Sequence, residues 1–226
     1  MVRAKLFYRL FIFQFDLFQE YSIDMENLIR AQSTSQLERM QKLAEEYSLE
    51  EQDEFWEYNM DRVNQLTVDY PNLLRSSILT SVITELEDTI VKIHKDLQDN
   101  SNLEIVSIGN KQLSGSTIER ALQSIHQVIP LSELYESSNW KDLQLLLAIR
   151  NRVVHSRGVV HPVDYKELFD KLKYFEKIDT RTFRLDTYHQ LLFLENSSDF
   201  IINTCKLLLD SVVKIILVYT EAKRNL

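Results

Sequence analysis

The chain has 226 residues, is 44% hydrophobic and 27% charged, and carries a net charge of −8, which suits one soluble domain with a sizeable core. Three Gly and three Pro are too few sharp-turn residues for a many-stranded β fold, and favour long helices. The acidic balance excludes a general nucleic-acid coat but permits a local basic pocket. The lone Cys205 excludes a disulfide framework or a Cys-based zinc site within one chain and suits a reducing compartment.

The first element is a helix from about Lys5 to Arg30. Its start, Leu6 to Phe18, is dense in aromatics: Phe7, Tyr8, Phe11, Phe13, Phe15 and Phe18. Arg9, Gln14 and Asp16 interrupt the run and no small-residue cleavage site follows, so it is read neither as a signal peptide nor as a membrane span. It reads as a buried first helix or as an aromatic dimerisation face. A second helical stretch covers Gln36 to Val68, with a break near Ser48. Within it, Ala44 to Glu57 holds Glu45, Glu46, Glu50, Glu51, Asp53, Glu54 and Glu57 with no Lys or Arg. That composition describes a solvated helix surface, or an acidic face for a basic partner.

Three Ser/Glu pairs have capping-box spacing: Ser35 with Glu38, Ser48 with Glu51, and Ser116 with Glu119. Pro71 suits the first turn of a helix. From Asn72 to Gln98 the pattern is clearest, because Leu74, Ile78, Val82, Leu86 and Ile90 recur every four residues. Asp99 to Ser114 is polar and reads as a loop, with an extended piece at Leu103 to Ile108. A helix follows over Thr117 to Val128, another begins near Trp140, and a short one covers Tyr165 to Phe175. Thr182 to Leu194 resembles one or two short strands. The last helix spans Ser198 to Ala222 after an Asn196-Ser197-Ser198 cap, and it buries Cys205 as a small hydrophobe. Neither internal repeats nor a Gly/Ser linker occur. The expected fold is therefore all-α, one domain over 1–226, an up-and-down bundle of about five to seven helices with a small late β-hairpin.

Chemistry concentrates in Leu143 to Val159. An apolar helical run there delivers Arg150, Asn151, Arg152, His155 and Arg157 within eight residues and stops at Gly158. Asn151 and His155 continue the Leu147 row at steps of four. Arg150 lies roughly 140° around an ideal helix from His155, and Arg152 roughly 60°. Arg150 and His155 therefore converge only at a distorted helix end or across a second copy of the chain, where a two-fold axis would gather two of each.

Arg150-Asn151-x-x-x-His155 resembles the Arg-polar-x-x-x-His signature of the HEPN superfamily, helical-bundle proteins that include many metal-independent RNases. Tyr70-Pro71-Asn72-Leu73-Leu74-Arg75-Ser76-Ser77, opening a long helix with Glu85, is similar to the preceding helix of some bacterial members. The resemblance implies an endoribonuclease with a composite site in a homodimer, no metal and no cofactor. It implies Arg150 and His155 as the catalytic pair, with Asn151 between them. The implied setting is a cytoplasmic bacterial toxin–antitoxin or phage-defence system, with an antitoxin or regulatory protein as partner and no membrane. Members regulated by tyrosine adenylylation carry Tyr two residues after the His; Arg157 stands there in this chain.

The chemistry of these residue types agrees. A 2′-hydroxyl attack on the adjacent phosphate needs a group that titrates near neutral pH, the natural role of His. It also needs fixed positive charge at the developing phosphorane, which Arg supplies. The expected products are a 2′,3′-cyclic phosphate and a 5′-hydroxyl. Asn151 can orient the His155 ring or the scissile group, and Arg152 and Arg157 can hold flanking phosphates of RNA. Plain C-terminal helix capping by cations competes with this reading. The alternative function is a non-catalytic helical dimerisation or interaction module; a more remote one is a partner subunit of a nucleotidyltransferase. His94, His126, His161 and His189 lack metal-ligand spacing, and His161 follows the motif turn closely enough to reach the site. Ser114-Gly115-Ser116 reads as a helix cap, and no Gly-rich phosphate loop occurs.

Overall fold

The four-residue apolar spacing after Pro71 becomes the buried face of one long helix, against which four other helices pack. The structure, a computed structural model, describes residues 2–100 and 103–224. In chain order it comprises α1 (Val2–Ala44), α2 (Leu49–Asn64), a π-helical turn (Gln65–Asp69), α3 (Tyr70–Asn100), α4 (Thr117–His126), α5 (Ser132–Glu136), α6 (Ser138–Ser156), α7 (Lys166–Ile178), β1 (Phe183–Leu185), β2 (Leu191–Phe193) and α8 (Ser197–Arg224). The fold is an all-α bundle with one late antiparallel hairpin that pairs Phe183 with Phe193 and Leu185 with Leu191. No described helix is long and apolar enough to cross a membrane.

α3 packs on α1, α8, α4 and α6. Ile78, Val82, Leu86, Ile90 and Ile93 are essentially inaccessible. Burial of each such side chain contributes roughly 1.5–3 kcal/mol before entropy is counted. α8 adds Ile201, Cys205, Leu208 and Val212, and α6 adds Leu143, Leu146 and Ile149. Burial holds the Cys205 thiol far above its ordinary pKa, so it is an inert core group.

The aromatic run of α1 splits between two faces. Phe11 and Phe15 are buried with ring centroids 3.9 Å apart. Phe13, 62% exposed, points outward with Leu10 and Leu17. The side chain of Phe7 lies outside the described residues. Tyr8 donates to Asp210 Oδ1 at 2.8 Å and Lys206 Nζ meets Asp16 at 2.6 Å, which fixes α1 along α8.

α1 continues to Ala44 rather than stopping near Arg30. Ala31-Gln32-Ser33-Thr34-Ser35-Gln36 contains no Gly or Pro, and its polar residues cost only tenths of a kcal/mol each in a helix. Met40 and Ala44 are buried beyond it, so packing outweighs that cost. Ser35 therefore sits inside a helix, whereas the other two capping boxes are used. Glu51 accepts from the Ser48 backbone N–H at 3.0 Å, and Glu119 from that of Ser116 at 2.7 Å. α2 buries none of its residues, so the acidic stretch is a solvated surface.

Pro71 lies in the first turn of α3, as its sequence position suggests, but α3 runs on from α2 without a gap. The proline ring would clash with the carbonyl four residues back, and the chain passes it through the π turn, where the Tyr70 N–H reaches back to the Gln65 carbonyl. α5 falls in a stretch with no predicted element; five residues are too few to show a helical period. The extended piece near Leu103–Ile108 forms no strand among the described residues. Side chains hold it instead: Ser124 Oγ donates to the Val106 carbonyl at 2.6 Å, and His94 Nε2 lies 3.0 Å from both.

Two predictions follow from these contacts. Ser116→Ala should cost about 1 kcal/mol in urea unfolding, while Ser35→Ala should gain a few tenths. Burial depresses the His94 pKa, against a smaller opposing effect of the Val106 bond. Below the ordinary value of 6.5 the unfolded chain takes up a proton that the folded one resists, so stability is lost as pH falls. Unfolding free energy should drop between about pH 7.5 and 5.5, and the drop should shrink in His94→Gln.

Candidate functional site at the end of α6

The C-terminal half of α6 forms one wall of a groove of about 610 Å³, and the start of α7 forms the other. Asn151, Arg152 and His155 line it from α6, above an apolar base of Leu145 and Ala148. Asp164, Tyr165, Lys166, Glu167 and Lys171 line it from the opposite side, with Leu168. Of the Leu143, Leu147, Asn151, His155 row, only the polar members Asn151 and His155 line the groove; Leu143 and Leu147 are buried in the core.

Arg152 is only 9% exposed. Its guanidinium lies 3.8 Å from the centroid of the Tyr165 ring, a cation–π stack between the two walls. One terminal nitrogen donates to Ser156 Oγ. The buried Nε has no partner. No carboxylate among the described residues pairs with Arg150, Arg152 or Arg157. Within the groove itself Asp164 and Glu167 stand beside Arg152, Lys166 and Lys171, and Arg152 is the buried cation of that set. An unpartnered buried donor of this kind costs about 1–3 kcal/mol.

The five sequence candidates do not all converge. Asn151, Arg152 and His155 share the groove. Arg150 does not line it; it is half-buried with its Nε unpartnered, on the side of α6 that carries Leu143 and Leu146. Arg157 is exposed and caps the helix in the left-handed region, with φ 52°. His155 is exposed and makes no hydrogen bond to a described residue, so Asn151 does not orient its ring here.

The end of α6 is held from outside. The Gly158 N–H donates to the Arg152 carbonyl at 3.0 Å, and the Gly158 carbonyl accepts from Leu191 N–H at 3.0 Å. Val160 N–H donates to the His189 carbonyl at 2.9 Å. Gly158 has φ 82°, which suits a residue without Cβ. The hairpin is in turn tied to the start of α3. Asn72 Oδ1 accepts from Phe193 N–H at 2.7 Å, and Arg75 donates to the Phe193 carbonyl at 2.8 Å while pairing with Glu26 through two bonds of 2.5 and 2.8 Å. Asn72 and Arg75 of the second resembling segment are therefore framework residues.

The remaining histidines serve other places. His94 holds a loop, and His126 Nδ1 accepts from Leu131 N–H at 2.8 Å. His161 and His189 stack edge-on with centroids 5.9 Å apart, and His161 Nδ1 is 3.9 Å from Asp164 at the groove edge. No group of three or more His, Cys, Asp or Glu among the described residues is placed to hold a metal ion. Sequence reasoning missed Tyr165, Lys166 and Lys171. The available signal was an aromatic beside a lysine at a helix start shortly after the motif turn, with a second lysine near the end of the next turn and a half. Comparisons of the chain with family models, curated proteins and solved structures found no match.

The left-handed pair at the helix end gives a stability prediction. Arg157→Gly should not lower stability and should raise it by up to about 1 kcal/mol, because Gly carries no Cβ penalty there. Gly158→Ala should cost about 1–2 kcal/mol through its dihedral, although the new Cβ would clear Leu191 Cβ by 3.7 Å. Thermal and urea unfolding of both variants check this.

Proposed function

We propose that this chain is a metal-independent endoribonuclease of HEPN type. The observation that carries the reading is the groove that places His155 and Asn151 beside a buried arginine with no carboxylate partner. The exposed imidazole takes the proton of a 2′-hydroxyl as that oxygen attacks the adjacent phosphorus. The bond to the 5′-oxygen breaks, and a proton is returned to that oxygen. Arg152 and Arg157 hold phosphates flanking the cut. Arg150 faces away from this groove, so it reaches a scissile phosphate as part of a two-chain site, with each copy contributing His155 to one centre and Arg150 to the other. A cytoplasmic bacterial toxin–antitoxin or phage-defence setting, with an antitoxin or regulatory protein as partner, belongs to this reading.

A non-catalytic interaction module is the second reading, favoured by the absence of a hydrogen bond that orients His155. One experiment separates the two. RNA cleavage in EDTA is measured for the wild type, for folded Arg150→Ala and His155→Ala, and for the two variants after co-refolding. Each variant alone should be inactive. The mixture should regain about a quarter of wild-type activity, because half the dimers are mixed and each has one intact centre. No rescue would place both residues within one chain's site, and no wild-type cleavage would leave the interaction module.

A further inference from the structure

We propose that the α6–α7 groove contains a nucleobase-stacking subsite, with Tyr165 as the platform and Arg152 as its fixed underside, so that the chain takes RNA only as an unpaired strand. The guanidinium 3.8 Å from the ring centroid covers one face of Tyr165. Tyr165 as a residue is 41% exposed and lines the groove, which leaves it accessible to a planar group on the side away from Arg152. Arg152 is buried and tied to Ser156, and its stack therefore holds the ring in place before any ligand arrives. That ordering lowers the entropic cost of adding a third layer.

The surrounding chemistry suits a nucleotide better than an apolar ligand. Lys166 lies next to the platform in sequence and Lys171 about one and a half turns further along α7, and both line the groove. Lys171 is engaged at 2.7 Å by Glu167, an exposed pair that yields readily to a phosphate. The groove, at about 610 Å³, has room for a splayed base with its sugar and phosphate. A duplex keeps its bases stacked on one another, and an A-form helix presents no free base face to a tyrosine. Asn151, across the groove on α6, can meet the edge of the base, since its amide carries both donors and an acceptor. The inference rests on the nuclease reading only for the position of the scissile phosphate; binding itself does not require His155.

The test is therefore a binding measurement on the full chain. The probe is a fluorescent oligouridylate of about a dozen nucleotides with every 2′-hydroxyl methylated, which cannot undergo the proposed cleavage. Tyr165→Ala should weaken binding about tenfold or more, the loss expected for one stacked base, while Tyr165→Phe should stay within about twofold. The same strand annealed to its complement should bind at least about tenfold more weakly. An abasic nucleotide moved along the strand should expose one position with a comparable loss for the wild-type protein, and this decides the matter if Tyr165→Ala fails to fold. Unchanged affinity of folded Tyr165→Ala, equal affinity for the duplex, no abasic-sensitive position, or no binding at all would each overturn the subsite. Base-dependent binding without cleavage of unmodified RNA would keep the subsite and remove the nuclease reading. Cleavage with affinity indifferent to Tyr165 would do the reverse.

Discussion

The bonds of Arg75 hold the working end of this molecule together. Its guanidinium grips Glu26 of α1 at two points and the Phe193 carbonyl of β2 at a third, so one side chain joins three elements that are far apart in sequence. Both partners of the ion pair are largely shielded from solvent, at 12% and 18% side-chain exposure. In such surroundings, loss of one member strands the other at a cost of about 3–5 kcal/mol. The dependence then runs outward. Asn72 and Arg75 seat β2, β2 and its turn seat Gly158 and Val160, and those residues set where α6 ends and where His155 stands.

Much of the helical frame is legible in the sequence because periodicity reports burial. The four-residue spacing in α3 and the apolar length of α8 are direct consequences of packing against neighbours, and the alternation in Thr182 to Leu194 marks a hairpin with Phe183 and Phe193 inward. Less legible were elements whose limits depend on what lies elsewhere. Ser35 has the same local signature as Ser116, yet only Ser116 caps a helix. The distinction comes from Met40 and Ala44, which are buried further along α1 and keep it continuous. Pro71 has a similar ambiguity: its ring forbids a regular α turn, but it does not dictate whether the chain stops or inserts a π turn.

The candidate site was legible on one wall only. The polar end of α6 could be read from the Leu147, Asn151, His155 row, and its separation from Arg150 follows from helical geometry. The second wall could not be read in this way, because Tyr165, Lys166 and Lys171 come from an element whose placement depends on the turn at Gly158 and on the hairpin. Arg152 illustrates the same limit. As a sequence feature it was one cation among three; in the structure it is the buried member, stacked and partly unsatisfied, while Arg157 closes the helix with its backbone and keeps its side chain exposed. Chain position gave Arg152 and Arg157 the same role, and burial separates them.

The contacts between the motif turn and the hairpin are largely main-chain to main-chain: Gly158 with Leu191 and Val160 with His189. Such bonds are indifferent to the side chains that border them. Val159, His161 and Tyr188 can therefore be exchanged without releasing the frame, as long as the left-handed turn survives, whereas the Gln190 side chain itself donates to the Arg157 carbonyl at 3.4 Å. The rim beside the groove is free to vary while its floor stays fixed. A scaffold of this kind can change which ligands it admits through surface drift alone, leaving the helical core that carries it untouched.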